Sequence, residues 1–525
     1  MSHRTWWTSA GLDRKAAAAV LLAALAGAGG TGCTSTCADT LTCPYVQSSV
    51  EPAGGELACP DDPKDGPVAP ECGVWVSAST GDDANPGTQE APVKSIAAGV
   101  ALAQAATMRV HLCGETYEEA VELPSSIALL GGFDCEHEWA YLGTGEKARI
   151  QPGLPGVIPL TLREGDRVSV LRDIDVTAAS AVEPGGSSIG VLALPGSKVE
   201  IWRSTITAGD GADGEHGEHG THGAATAQKG LSGNAGADAC WMDIGLGGAA
   251  VWLGCEDGSS SHGGQGGDGG EAAANDGGDG LPALENENGT YGLGGNGENA
   301  ISGAACTPGI GGAHGDNGIQ GEGATDPGQL TPKGFVGAAG EDGGSGLPGQ
   351  GGGGGGGSRG KLACGGPNGG AGGGAGGTGG CGGRGGKGGQ AGGASIGVAS
   401  LSPEVYLYET LLVAGKGGRG GDGGAGQPGG QGGLPGLGGA GISAFDPVLK
   451  GCAGGAGGYG GDGGNGGGGR GGHSAPVAHT PGNAPRGDAP KVKFAKVGEG
   501  GLGGNKASLH GEGDKGATYF VVLDD

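Results

Sequence analysis

Three histidines recur at a fixed spacing, His216, His219 and His222, with Glu215 and Glu218 beside them. Imidazoles next to carboxylates are the stuff of metal sites, but this spacing argues against a single ion. On an extended helix of three residues per turn, successive His would stand ~9 Å apart along one edge, whereas metal–nitrogen bonds are about 2 Å. Solvated polar side chains are expected instead. Residues 263–268, 417–422 and 457–462 each match G-G-x-G-x-D, the start of a calcium-binding nonapeptide. That repeat needs an apolar residue two places after the Asp, and Gly270, Gly424 and Gly464 stand there. Calcium is therefore not expected. Gly186-Ser187-Ser188-Ile189-Gly190 fits G-x-S-x-G, yet a nucleophile elbow joins a strand to a helix and this stretch leads into a strand. A turn is expected. Lys361, Lys387 and Lys416 follow glycines but precede Leu, Gly and Gly, where a phosphate loop requires Ser or Thr. No motif calls for a cofactor.

The sulfur chemistry is better founded. The chain has 13 Cys and no C-x-x-C pair, so a structural zinc site is not expected. Arg14 and Lys15 precede an apolar run, residues 16–28, of the length of a signal-peptide core. Two exits follow it. Ala26-Gly27-Ala28 fits an A-x-A cut, which would release a secreted protein. Gly30-Thr31-Gly32-Cys33 resembles a bacterial lipobox, in which the Cys is diacylated; Gly30 departs from the usual Leu. The lipoprotein reading is preferred and makes residues 1–32 a signal peptide, with Cys33 the lipidation site and the membrane its partner. Removing Cys33 leaves an even number of cysteines, which suits disulfides in an exported, core-poor chain. Cys240, Cys255, Cys364 and Cys381 in the glycine-rich parts are disulfide candidates. Residues 33–73, with Cys37, Cys43, Cys59 and Cys72 among Pro, Gly and Asp, read as a stapled tether.

These residues must be positioned by a chain in which 137 of 525 residues are Gly and the net charge is −27. So much Gly cannot build a large apolar core, and so acidic a chain argues against nucleic acid. One pattern does recur. Residues 199–209 (VEIWRSTITAG) return as 405–415 (VYLYETLLVAG), and 168–178 is an earlier relative with one extra residue before Val176. Even the approach repeats, as Ser188-Ile189-Gly190-Val191 and Ser395-Ile396-Gly397-Val398. Alternating apolar positions rich in β-branched and aromatic residues predict strands, and repeated strands predict the coils of a parallel β-solenoid. Between the copies glycine keeps a period of three, as in Gly211, Gly214, Gly217 and Gly220. That is the period of polyproline-II geometry. Two states fit it: flexible low-complexity chain, or polyglycine-II passes bonded side by side, as in some glycine-rich antifreeze proteins and phage fibre tips.

The segment from Val74 is the most specific. It predicts a strand at 74–77, a helix opening at Ser95 with Ile96, Val100 and Ala103 on one face, and strands at 108–113, 120–123 and 127–132. The intervening residues Gly81, Asp83, Asn85-Pro86-Gly87-Thr88, Pro92, Lys94-Ser95-Ile96 and Thr116-Tyr117 follow the pattern G-x-D-x-N-P-G-T, P-x-K-[ST]-I, G-T-Y. Over residues 74–178 the chain resembles an N-terminal domain family of secreted bacterial proteins within the pectin-lyase-like β-helix superfamily, although Glu115 interrupts the last motif. The resemblance implies a right-handed parallel β-helix whose helix plugs the open end. Cys113 and Cys135 end neighbouring strand regions and are paired as a disulfide. Some relatives degrade acidic polysaccharide, and Asp173 and Asp175, read on one strand beside Arg172, are the best residues for such a role. A polar outer strand face explains them equally well.

The fold class expected is all-β: a short right-handed parallel β-helix with an N-terminal capping helix, plus glycine-rich regions that are polyglycine-II-like or disordered. The β-helix spans 74–208, a glycine-rich insertion 209–394, a returning coil 395–415, a second glycine-rich region 416–485, and C-terminal strands 486–525. The function expected is that of an exported, lipid-anchored surface protein with a structural or adhesive role and no catalytic site. Its partners would be the membrane and extracellular polysaccharide or other surface proteins. A carbohydrate-active β-helix is the alternative.

Overall fold

The computed structural model describes residues 59–523 apart from 106–108, 222–224, 241–243, 272, 284–288, 365–368, 444 and 505–510. Three parallel sheets are filled in rotation. From Arg109–Cys113 in the first sheet the chain passes to Thr116–Tyr117 in the second and Val121–Leu123 in the third, then returns to the first with Ala128–Asp134. The circuit repeats through Ala148–Ile150, Leu160–Leu162 and Ser169–Arg172, and again through Ile174–Thr177, Ser188–Ala193 and Lys198–Trp202. Strand alternation then decides burial. Val199, Ile201 and Ile206 point inward with Val405, Leu407 and Leu412 and join one apolar core. Their neighbours Glu200, Trp202 and Thr205 face out.

The pairing corrects the sequence alignment of the earliest copy. Ser169, not Val168, lies opposite Val199, and Val176 lies opposite Ile206 without an extra residue. The third copy is in the register expected, Val199 opposite Val405. At the corner between the first and second sheets stand Asp173, Arg203 and Glu409, with φ of 54°, 47° and 48°. Left-handed backbone costs a non-glycine residue roughly 1–2 kcal/mol, so each corner needs outside support. Asp173 is thus a corner residue and does not share a strand with Asp175.

One end of the core is covered by the helix Ile96–Gln104, whose Ile96, Val100 and Ala103 enter the apolar cluster. Its start is heavily capped. Ser95 Oγ accepts the Ala98 N–H, and the Glu119 carboxylate accepts those of Ile96 and Ala97, the former at 2.7 Å. Asp83 accepts from the N–H groups of Lys94 and Ser95, and Asn85 donates to Pro92 O, so the motif residues around Gly81 are staples of this entry loop. Thr116–Tyr117, from the last of these motifs, is a short strand.

After Thr205–Thr207 the chain leaves the core and the glycine-rich passes begin. Gly211, Gly214, Gly217 and Gly220 donate their N–H groups to Lys416, Arg419, Asp422 and Ala425. The strand register therefore runs on into the passes. Within 372–393 the three residues of each turn address three neighbours. Gly374 and Gly377 donate to Cys452 and Gly455, Ala375 and Thr378 to Asn234 and Leu231, and Gly373 and Gly376 to Gly267 and Gly264. At the glycine positions such packing leaves no room for a side chain. A Cβ on Gly376 would overlap the Gly352 carbonyl oxygen, and one on Gly385 that of Gly343. The second glycine-rich region ends earlier than position 485, because Ser474–His479 returns as a strand beside Ser395–Ser400. Lys491–Phe494 and Thr518–Val522 add to the edges of the second and third sheets.

Candidate functional surface

The residues with metal-like spacing are absorbed into the passes as hydrogen-bond acceptors. An outer pass leaves one N–H per turn without a backbone partner, and a side chain three residues further on each time supplies one. Asp210 and Asp213 carboxylates accept from Lys416 and Arg419, and the Nδ1 atoms of His216 and His219 accept from Asp422 and Ala425. His314, Asn317 and Gln320 repeat the device against Tyr459, Asp462 and Asn465. An imidazole that accepts at Nδ1 carries its proton on Nε2, so it offers no lone pair outward to a metal. His222 lies outside the described residues. The aspartates of the calcium-like stretches do the same work: Asp268 accepts from Gly247, Asp422 from Leu502 and Asp462 from Gly429.

Ser188, the centre of the G-x-S-x-G stretch, begins a strand of the third sheet and is buried. Its Oγ donates to Ala179 O and accepts the Gly209 N–H, both at 2.8 Å. Ser395 and Ser474 stack on it in register, and they take the N–H groups of Gly415 and Ala495. Each serine therefore hooks the chain where a strand passes into a glycine-rich segment.

Asp173 and Asp175 are held apart by their corner. Asp173 is fully buried; it takes the Arg203 guanidinium at Oδ1 (3.0 Å) and Oδ2 (2.8 Å) and the Tyr141 hydroxyl at 2.6 Å. Burial first and then the Asp173 bond push the Tyr141 hydroxyl well above its ordinary value. Asp62, from the segment before the core, receives Arg203 at both oxygens and Arg172 at one, all at 2.9 Å. Burial alone would raise Asp62, but the Arg203 bond, the Lys64 N–H and both guanidinium charges hold it below the usual carboxylate range. This node ties residues 59–73 onto the first sheet, so that part of the expected tether is folded. Arg172 also lies 4.9 Å from the Trp202 ring centre, and Trp202 stacks on Tyr408 at 3.9 Å. Asp175 instead faces a polar cleft of about 300 Å³ lined by Thr144, Glu146, Lys147 and Arg149, where it pairs with Lys147 at 3.2 Å. Reading the sequence missed Asp62, Arg203 and Tyr141. The strand alignment did carry a signal for Arg203, which recurs at the place of Asp173 and Glu409.

The described cysteines are joined as Cys59–Cys72, Cys113–Cys135, Cys240–Cys364, Cys255–Cys381 and Cys306–Cys452. The last three join distant parts of the glycine-rich regions. Cys33, Cys37 and Cys43 lie outside the described residues. Ile301, Leu362 and Phe445 are exposed apolar side chains of the glycine-rich regions. Among the described residues no helix is long and apolar enough to cross a membrane. No protein family, curated protein or solved structure matches the chain.

Proposed function

We propose that this chain is an exported, lipid-anchored cell-surface protein with a structural or adhesive role. It is built as a right-handed parallel β-helix that carries a polyglycine-II bundle, Cys33 holds the lipid, and the bundle is a stiff, disulfide-stapled projection that presents its outer turns to partners. The observation that carries this reading is the fate of the chemistry-bearing residues. His216, His219, Asp268, Asp422, Asp462 and Ser188 all hold backbone N–H groups. The rotation of strands through three sheets supports the β-helix, and the three-residue hydrogen-bond period supports the polyglycine-II passes. The test is metabolic labelling with a clickable fatty acid in a Gram-negative host, with protease shaving of intact cells. Label that vanishes in Cys33→Ala, together with shaving of the wild type, is expected. An unlabelled wild-type chain that stays inside the cell would overturn the reading.

A second reading, a carbohydrate-binding or polysaccharide-degrading β-helix, rests on the polar cleft beside Asp175. Arg149 is exposed there and could meet an acidic sugar. Titration calorimetry with oligogalacturonate decides it. Binding lost in Arg149→Ala supports the second reading, and no heat in the wild type removes it.

A further inference from the structure

We propose that residues 325–338 form a strap that closes over the outer face of the third sheet near neutral pH and is released in acid by protonation of His473. The segment links two glycine passes. It folds as a separate antiparallel hairpin, Gln329–Thr331 with Gly334–Val336. Leu330 is fully buried and Phe335 packs beside it, over Ile189, Leu192, Ile396, Ala399, Ala475 and Ala478. Leu192, Ala399 and Ala478 directly follow the inward-facing Val191, Val398 and Val477, while Ile189, Ile396 and Ala475 reach the same outer face because alternation breaks at Gly190, Gly397 and Pro476, so this sheet is apolar on both faces. Gly334 lies directly on Ile189, with φ of +117° that a side chain would strain.

The polar ties are at the base of the strap, and His473 holds the central one. Its Nε2–H donates to Pro327 O at 2.7 Å, its Nδ1 accepts the Ala517 N–H at 2.8 Å, and its ring meets Phe335 edge-on at 5.3 Å. The Nδ1 bond requires the neutral ring, whereas the Nε2–H bond to Pro327 persists in either state. A second proton on Nδ1 would face the Ala517 N–H, donor against donor. His473 is 1% exposed, so the added charge would also have no water to solvate it. Arg470, which donates to Thr325 O and pairs with Asp514 at 3.4 Å, adds a like charge nearby. The other charged groups on the elements around the ring are Asp326 and Lys333 on the strap, Lys515 before Ala517, and His479 at the end of its own strand.

Burial first, then Arg470, place His473 below its ordinary value of 6.5 despite the bond to Pro327. The sign follows. The closed strap disfavours the proton, so closure is fully supported above the open-state value and weakens as pH falls through and below it. The test is hydrogen exchange of the full chain near pH ~7 and pH ~5, corrected for intrinsic rates. The Leu330 and Phe335 amides should lose roughly tenfold or more in protection at the lower pH, while the hairpin at Trp252–Gly254 keeps its own. His473→Asn, which retains an acceptor and cannot titrate, should abolish the difference. Equal protection at both pH values, or the same loss in His473→Asn, would overturn the proposal. Should that variant not fold, NMR of the wild type decides: the His473 ring must titrate together with the loss of protection at Leu330, and separate midpoints would reject the strap.

Discussion

The Nδ1 atom of His216 accepts the backbone N–H of Asp422 at 2.8 Å across a separation of 206 residues. The same separation relates Asp210 to Lys416, Asp213 to Arg419 and His219 to Ala425, and it continues the register in which Val199 meets Val405. One repeat length therefore governs both the apolar strands and the glycine passes. The side-chain acceptors mark where a pass has run out of backbone partners.

Removing one such acceptor should loosen one turn without unfolding the molecule. His216→Ala is expected to speed exchange of the Asp422 amide and to lower stability by about 0.5–1.5 kcal/mol. His216→Asn, which places an acceptor near Nδ1, should restore most of it. Amide exchange by NMR, with a thermal melt, measures both. Unchanged exchange at Asp422 in the Ala variant would refute the ladder.

Glycine in the passes is required by sterics, and that requirement is local. Gly376→Ala puts a methyl group into the Gly352 carbonyl and should destabilise by about 1–3 kcal/mol or more. Gly145→Ala, whose Cβ would meet nothing within 4 Å, should be nearly neutral. Similar melting curves for the two variants would show that the passes do not pack as described.

Reduction should act on the passes before the sheets. Cys240–Cys364, Cys255–Cys381 and Cys306–Cys452 close loops of 124, 126 and 146 residues. On the chain-entropy account each stabilises by about 4–5 kcal/mol, in a region with little apolar core of its own. Small-angle scattering after treatment with a dithiol should register expansion, while the strand signal from residues 74–208 persists. A particle of unchanged size after full reduction would count against the stapled bundle.

Acid should weaken the packing outside the first sheet through His111. Its ring stacks on Trp75 at 4.3 Å, and neither nitrogen has a hydrogen-bond partner among the described residues. Burial, then Arg109, push it from 6.5 down to about 3. The folded value lies below the unfolded one, so stability is intact above the ordinary value and falls as pH drops from there towards 3. The full loss is on the order of 4–5 kcal/mol. His111→Leu should cost about 1–2 kcal/mol of packing at neutral pH but show a flatter acid limb in denaturant titrations. An unchanged acid limb would exonerate His111.

The sequence by itself determined the local elements. Alternation at 199–207 and 405–413 specified strands and which side chains go inside, because a period of two leaves no other apolar face. Ser95 and the Ile96, Val100, Ala103 spacing specified the helix and its start, and the three-residue glycine period recurs in the hydrogen bonding of the passes. What the sequence could not determine was company. Whether a pass of Gly211, Gly214 and Gly217 stays flexible or bonds to residues near 416–422 depends on chain some two hundred residues away. Nothing in a G-x-x triplet names its neighbour. For the same reason His216, Asp422 and Ser188, for which no metal, calcium or nucleophile role was expected, have hydrogen-bond partners that only the fold brings to them. Asp62, Arg203 and Tyr141 gave no joint signal, since burial of a charge is decided only when its counter-charges arrive from other circuits. Tertiary structure decided these roles because a backbone N–H must find an acceptor wherever packing excludes water, and packing is a property of the whole molecule.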